Sequence, residues 1–259
     1  MKITILSDNC ASRKYSAEWG LSIYIEAGTN ILLDFGASDL FLKNAEKMDI
    51  NIMNADYLVL SHGHWDHGNG LKYLPKKKLV CHPEAFIKRF RDGEHIGLPF
   101  DLKEGEKRFH LILTKKPFSF DENTIFLGEI PRLNDFEAKE TIFKKEDGNK
   151  DFVYDDSGLA IKTEKGLIVI SGCAHAGICN MVDYAIKITG IKEVLAVIGG
   201  FHLKDNDFVT KKTIEYLKSI NVKKVLPTHC TEFPALVEFN KYFGSTQLHV
   251  GQVINIKDL

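Results

Sequence analysis

The sequence predicts an α/β protein (α+β in some classifications) in which two sheets pack face to face beneath outer helices, a four-layer αββα sandwich. Short apolar runs of strand length alternate with stretches of helical apolar spacing along the 259 residues. Two sheet-rich halves with helices outside them give this layering. Because this length supports one large core, we expect a single domain, 1–259, with an elaboration at about 83–156.

The first third of the chain has the pattern of strands with one helix. Residues 1–6 alternate between apolar and polar side chains, and 21–26 with 31–34 form a predicted hairpin. Residues 41–48 carry apolar side chains at helical spacing. The apolar run 57–60 is typical of a strand that is buried on both faces.

The last hundred residues alternate between strands and helices, beginning with a predicted hairpin at 159–170. The elements predicted after it are helix 177–189, strand 194–198, helix 209–220, strand 224–226, helix 233–243 and strand 251–256. The middle of the chain, 83–156, is more charged and less regular. We expect it to lie over the site as a lid or substrate-specificity segment.

Composition excludes several classes of protein. Lys and Arg number 34 against 35 Asp and Glu, whereas nucleic-acid-binding domains usually show a basic excess. No apolar stretch approaches the roughly 18 residues of a membrane span, and no signal-peptide pattern follows the first strand. Five cysteines without a C-x-x-C pair disfavour a disulfide framework and an iron–sulfur cluster. We expect a cytoplasmic protein that acts on a small molecule.

Four metal-binding side chains occur within six positions directly after the buried strand at 57–60. They are His62, His64, Asp66 and His67. Imidazole nitrogen and carboxylate oxygen are ligands that zinc and iron accept. The loop frees these side chains from the alternation of a strand, and its glycines are expected to supply backbone freedom.

Two further histidines follow predicted strands in the same way. His175 comes after the strand at 166–170, and His229 comes after the strand at 224–226. Strand ends on one edge of a sheet are where open α/β folds gather their sites. We therefore expect both histidines to complete the ligand set.

These motifs resemble a known family. Ser61-His62-Gly63-His64-Trp65-Asp66-His67 matches the H-x-H-x-D-H signature of the metallo-β-lactamase superfamily, and Asp34-Phe35-Gly36 resembles its upstream D-x-G element. Further segments resemble the branch named for 7,8-dihydropterin-6-methyl-4-(β-D-ribofuranosyl)aminobenzene-5′-phosphate synthase. Those segments are 18–22, 171–178, 199–203 and 228–231.

The resemblance implies a site for one or two divalent metal ions, with zinc expected and iron or manganese as alternatives. One ion would be held by His62, His64 and His175, and the second by Asp66, His67 and His229. Cys173 stands where many superfamily hydrolases place a bridging aspartate. It is expected to be either a thiolate ligand or a buried thiol that lines the site, and the second ion is expected to be the weaker one.

Other residues are predicted to act on the substrate. Asp66 would accept a proton as well as bind metal, and His202, after the strand at 194–198, would orient a ligand, contact a phosphate or serve the structure. A helix beginning near Gly177 would offer free N–H groups to an anion, with Asn180 as a substrate contact. The loop after the first strand approaches the site rim in this fold, which makes Asn9 and Arg13 candidates for substrate binding.

Three functions remain open from the sequence. The first is a metal-dependent hydrolase that acts on a small phosphate-containing or ester substrate through metal-activated water. The second, implied by the branch, is a pterin-condensing transferase. The third is an iron- or zinc-binding protein with a redox or regulatory role. No nucleic-acid partner, membrane partner or particular oligomeric state is expected.

Overall fold

The computed structural model describes all 259 residues, and its helices and strands follow the apolar patterns of the sequence. The strands are β1 (Lys2–Ser7), β2 (Ser22–Glu26), β3 (Asn30–Leu33), β4 (Tyr57–Val59), β5 (Lys78–Cys81), β6 (Arg89–Arg91), β7 (Glu94–His95), β8 (His110–Leu113), β9 (Phe118–Ser119), β10 (Thr124–Phe126), β11 (Lys144–Lys145), β12 (Gly158–Thr163), β13 (Gly166–Ser171), β14 (Val194–Gly200), β15 (Lys224–Thr228) and β16 (Val253–Asn255). The α-helices are α1 (Leu40–Lys47), α2 (Trp65–Gly68), α3 (Leu102–Arg108), α4 (Ile178–Thr189), α5 (Phe208–Ser219) and α6 (Phe233–Phe243).

Two large sheets carry the fold. The first has the strand order β16-β1-β2-β3-β4-β5-β8, in which β3, β4, β5 and β8 are parallel. The second has the order β15-β14-β13-β12-β10-β9, in which β13, β14 and β15 are parallel. Parallel strands place their carboxyl ends on one edge, and that edge carries the loops of the site.

The apolar core lies between the sheets and on their outer faces. Ile5 and Ile23 of the first sheet pack in one cluster with Leu159 and Ile170 of the second. A second cluster places α1 and α3 against the first sheet, and a third places α4, α5 and α6 against the second sheet. These four layers confirm the predicted αββα sandwich. None of the helices is both long and apolar enough to cross a membrane.

The middle of the chain differs from its predicted role in one respect. It contributes β8 to the first sheet and both β9 and β10 to the second, so much of it belongs to the sandwich itself. These strands have two to four residues, which is too short for periodicity to reveal them. The rest of the segment forms α3, the small sheet β11-β6-β7 and the irregular stretch that precedes β12.

Candidate metal centre

The structure brings the predicted metal ligands together from three strand ends. The loop after β4 carries the histidine-rich motif, the loop after β13 carries His175, and the loop after β15 carries His229. Each loop leaves the same edge of the sandwich. Residues far apart in the sequence therefore meet in one buried cluster.

The first group of ligands consists of His62, His64 and His175. Nε2 of His62 lies 2.9 Å from Nδ1 of His64, and the ring centroid of His175 lies 4.8 Å from that of each of the other two. Nε2 of His175 is buried and has no hydrogen-bond partner. Because a buried polar atom without a partner is costly, this nitrogen fits a bound metal ion.

Burial also determines the protonation state of these three histidines. It lowers the pKa of His62, His64 and His175 well below the usual value of 6.5, and the neighbouring histidines act in the same direction. All three rings are therefore neutral at physiological pH. A neutral imidazole is the form that binds metal.

The second group of ligands consists of Asp66, His67 and His229. The Nε2 atoms of the two histidines lie 3.0 Å apart, and Oδ2 of Asp66 lies 3.4 Å from Nε2 of His229 and 3.9 Å from Nε2 of His67. Burial raises the pKa of Asp66, but His67 and His229 outweigh burial and hold that pKa below its usual value. Asp66 is therefore an ionised carboxylate beside two imidazoles.

Three contacts hold the imidazoles at Nδ1 and leave Nε2 directed into the cluster. Oδ2 of Asp34 lies 2.6 Å from Nδ1 of His67, and Oγ of Ser61 lies 2.9 Å from Nδ1 of His62. Oδ1 of Asn9 lies 3.2 Å from Nδ1 of His229. Partners of this kind orient metal ligands and raise their basicity.

None of these three contacts was predicted from the sequence. The D-x-G element placed Asp34 near the site without showing that it contacts His67, and Ser61 carried no separate signal. Asn9 was predicted to bind substrate, but its amide also donates to the backbone oxygen of His229 at 2.8 Å. Its polar atoms are thus engaged in holding His229.

His67 carries a proton when no metal is bound. Burial lowers its pKa, but Asp34 and Asp66 outweigh burial and raise the pKa to about 9. A metal ion at Nε2 must therefore displace a proton, as is general for histidine ligands.

Four non-glycine residues around the centre adopt a left-handed backbone conformation. Their φ angles are 57° at Asp34, 56° at Ala174, 51° at His202 and 54° at His229. Such conformations cost on the order of 1–3 kcal/mol each and persist where the surroundings enforce them. The scaffold therefore holds these side chains in strained positions.

Glycine in the metal loop has a different role from the one predicted. Gly63 is not in a left-handed conformation; a Cβ there would lie 1.8 Å from the backbone oxygen of Ala85. A Cβ on Gly172 would lie 2.1 Å from Oγ of Ser61. These glycines permit close approach between chain segments, and the turn does not depend on their conformational freedom.

A buried ion pair anchors the same loop. The backbone N–H of Gly63 donates to Oδ2 of Asp155 at 2.7 Å, and the guanidinium of Arg89 donates to both carboxylate oxygens at 3.0 and 2.8 Å. Arg89 and Asp155 are both fully buried. The middle of the chain is thereby joined to the metal loop.

Cys173 lies between the two groups of histidines. Its Sγ is 3.1 Å from Nε2 of His67. Within the set His62, Cys173 and His175, and equally within His67, Cys173 and His229, one ligand atom per residue lies within 4.8 Å of the others. The thiol therefore lines both metal positions.

His202 lies beside the first group without joining it. Its ring centroid is 4.3 Å from that of His175, and Phe143 packs against both rings at 6.2 and 5.4 Å. Nδ1 of His202 is buried and has no hydrogen-bond partner. A position next to a ligand and next to the cavity described below is compatible with the predicted role at the substrate.

The two remaining candidates for substrate binding lie in different surroundings. Asn180 is buried, and its Oδ1 accepts hydrogen bonds from the backbone N–H groups of Leu133 and Asn134 at 2.9 and 3.1 Å. Its side-chain nitrogen donates to the backbone oxygen of Ala176 at 2.8 Å. Arg13 is exposed on the loop after β1. A substrate contact stays a prediction for both, and the engaged amide of Asn180 does not favour it.

The amino terminus of α4 already holds the side-chain carboxyl group of Glu137. The carboxylate of Glu137 accepts hydrogen bonds from the backbone N–H groups of Cys179 and Asn180, both at 2.9 Å. These are the N–H groups that were predicted from the sequence to bind a substrate anion. The protein fills that position with its own side chain.

A cavity of about 440 Å³ adjoins the first group of ligands. Its lining includes His175 and His202, and most of its wall comes from residues 136–143 with 152–153. The wall is mainly apolar, with Phe143 reaching the ligand rings. The part of the middle segment that stays outside the sheets therefore shapes the approach to the centre.

A four-layer sandwich with histidine-bearing loops at one edge defines a class of metal-binding proteins. The family model described as the metallo-beta-lactamase superfamily matches residues 20–131. Two proteins of Methanocaldococcus jannaschii are similar over nearly the whole chain. One is described as uncharacterised and is 36% identical, covering 98% of this chain and 100% of its own. The other is named 7,8-dihydropterin-6-methyl-4-(beta-D-ribofuranosyl)-aminobenzene-5'-phosphate synthase and is 37% identical, covering 98% and 96%.

A solved structure agrees with these relatives. Tm1679, described as a metal-dependent hydrolase of the beta-lactamase superfamily, is 28% identical with a TM-score of 0.90 and covers 99% of both chains. The chain belongs to the metallo-beta-lactamase superfamily.

Proposed function

We propose that the protein is a metal-dependent hydrolase that acts on a small phosphate-containing or ester substrate. The observation that carries the proposal is the convergence of five histidines and Asp66 beside an open cavity. Divalent ions bound there supply Lewis acidity and lower the pKa of water toward about 7.

Each ligand has a separate task in this proposal. His62, His64 and His175 hold one ion, and Asp66, His67 and His229 hold the other. Nitrogen and carboxylate donors favour zinc, with iron or manganese as alternatives. Because Asp66 is ionised, its carboxylate also serves as the acceptor of a proton from the nucleophile.

The cavity supports a substrate with both an apolar and an anionic part. A volume of about 440 Å³ lies in the range of small-molecule sites. Lys139 and Lys204 are exposed members of its lining and supply positive charge. His202 lies in the same lining, where it can donate a hydrogen bond to a phosphate oxygen.

Metal analysis and a substrate panel test the proposal. Protein purified without added metal is analysed for zinc, iron and manganese, and is assayed with a phosphomonoester, a phosphodiester and a carboxylic ester. We expect His67→Ala to abolish turnover, while His249→Ala, on the half-buried loop before β16, retains it. Full turnover by His67→Ala contradicts the proposal. Bound iron without turnover favours the redox or regulatory alternative.

A second candidate function is a pterin-condensing transferase. It is favoured by the full-length similarity to the M. jannaschii protein that carries the synthase name. This function requires turnover of a pterin diphosphate together with an arylamine partner and stoichiometric release of diphosphate. If metal-loaded protein releases no diphosphate, the transferase function is wrong. If the condensed product forms together with diphosphate, the protein is a transferase and the hydrolase proposal is wrong.

A further inference from the structure

We propose that Cys173, His202 and Cys230 form a third donor group, which binds a thiophilic metal ion such as zinc or cadmium. The proposal goes beyond the hydrolase reaction, because it concerns side chains outside the two histidine groups, apart from the shared thiol of Cys173. One ligand atom from each of the three residues lies within 4.8 Å of the others. Ligands of a tetrahedral zinc ion, at about 2.0–2.3 Å from the metal, are about 3.3–3.8 Å apart, so a small closure completes the group.

The fold places these residues at equivalent positions. The neighbouring parallel strands β13, β14 and β15 end at Ser171, Gly200 and Thr228. Each of the three donors stands two residues beyond its strand end, at Cys173, His202 and Cys230. Strands β14 and β15 pair Gly200 with Thr228, which brings His202 and Cys230 level with each other. Strand β13 pairs Ser171 with Gly199, so Cys173 lies one residue out of step with them at the same sheet edge.

The absence of a side chain at Gly200 leaves room for the three donor side chains to approach one another. Gly200 approaches both cysteines, since a Cβ there would lie 2.6 Å from Sγ of Cys230 and 3.2 Å from Cα of Cys173. His202 has a left-handed backbone, a nitrogen of its ring lies within 4.8 Å of both cysteine sulfurs, and Nδ1 of that ring is buried without a partner. Sγ of Cys230 is 3.6 Å from the backbone oxygen of Cys173, and both cysteines are buried.

The donor chemistry sets the choice of ion. Two thiolates and one imidazole are softer than the nitrogen and carboxylate donors of the histidine groups, and soft donors select zinc, cadmium or copper(I). Binding displaces one proton from each thiol and involves no change of oxidation state. Because Cys173 also lines the two histidine groups, an ion held here shares its sulfur with the main centre.

Cadmium titration of the metal-free protein, followed by ultraviolet absorption, tests the proposal. We expect a sulfur-to-cadmium charge-transfer band in the wild type. In Cys230→Ser we expect a weaker band, because one of the two thiolates that produce it is lost. His202→Ala is expected to weaken the cadmium binding that produces the band. The matched control is Cys179→Ser, since Cys179 is equally buried but lies on α4 outside the group. Far-ultraviolet circular dichroism verifies that each variant is folded.

The outcomes separate this proposal from the hydrolase function. In His62→Ala the band is expected to persist although the first histidine group is broken. A full wild-type band in Cys230→Ser assigns the sulfur signal to Cys173 alone and overturns the third group. Cadmium bound without any sulfur band also overturns it, while leaving the histidine centre and the proposed hydrolase intact.

Discussion

Asp34 and His67 form a buried pair in which Oδ2 of the carboxylate lies 2.6 Å from Nδ1 of the imidazole. The same oxygen accepts a hydrogen bond from Oγ of Ser61 at 2.7 Å, and the other oxygen accepts one from the backbone N–H of Ser61 at 2.8 Å. Asp34 follows β3, and Ser61 lies just beyond β4. One carboxylate therefore fixes both the start of the metal loop and the orientation of its last histidine.

Asp34→Asn is expected to weaken metal binding at the second position by about 10–100-fold, the usual effect of losing a ligand's hydrogen-bond partner. The amide has nearly the shape of the carboxylate but lacks its charge, so His67 loses its ionic partner. Isothermal titration with zinc measures the change. Asp39→Asn, on the surface beside Lys43, is the matched control. Equal affinity in Asp34→Asn and the wild type contradicts the orienting role.

Arg89→Met is expected to reduce the free energy of unfolding by about 3–5 kcal/mol, because it leaves the carboxylates of Asp151 and Asp155 buried without their shared ionic partner. Urea unfolding measures the loss. Lys88→Met breaks an exposed ion pair with Glu146 and should cost at most about 1 kcal/mol. The double variant Arg89→Met, Asp155→Leu should recover part of the loss. Equal costs for Lys88→Met and Arg89→Met would contradict this account.

Asp156 gives the folded state a pH dependence. Burial raises its pKa to about 7, against a hydrogen bond from the backbone N–H of Ala176 that lowers it. The unfolded chain has a pKa near the usual 3.8. The cost of ionising this carboxyl is therefore absent below about pH 4, grows as the pH rises from 4 to 7, and is constant above 7.

Asp156→Asn removes this cost. Relative to the wild type, the variant should gain stability from pH 4 to pH 7, by a few kcal/mol in order of magnitude. Urea unfolding at several pH values tests the trend. Asp147→Asn, on an exposed turn, provides the comparison. If the free energy of unfolding of Asp156→Asn depends on pH in the same way as that of the wild type, Asp156 does not have a raised pKa.

Glu137→Ala is expected to cost about 1–2 kcal/mol, since it leaves the N–H groups of Cys179 and Asn180 without their acceptor at the start of α4. Thermal unfolding measures the loss. Glu137→Gln keeps an acceptor and should lose less. Glu140→Ala, an exposed neighbour in the cavity lining, should leave stability unchanged. If Glu137→Ala has the same stability as the wild type, the helix does not depend on this acceptor.

The sandwich and the convergence of the predicted ligands follow from local patterns in the sequence. Apolar runs at 57–60 and 166–170 indicate buried strands, and the positions of His62 and His175 just beyond them indicate a shared edge. Such features are readable because strand and loop are decided within a few residues. The short strands β8 and β10 escaped prediction because their pairing is decided by the sheet and not by their own residues.

The contacts around the ligands were not predictable in the same way. Asn9 meets His229 across 220 positions, and Arg89 meets Asp155 across 66. A side-chain contact of this kind produces no pattern of apolar and polar residues in either segment, so the sequence does not indicate it. Gly63 likewise shows its role only through the backbone of Ala85, which the sequence alone does not place beside it.

The positions of His175 and His229 along the chain set the order in which the centre can be completed during synthesis. The first group requires the chain as far as His175, and the second requires a further 54 residues, since 229 − 175 = 54. A nascent chain can therefore assemble its first histidine group well before its second. If the two groups hold metal as proposed, each ion joins distant parts of the polypeptide, so metal added to the finished protein should increase its stability against unfolding.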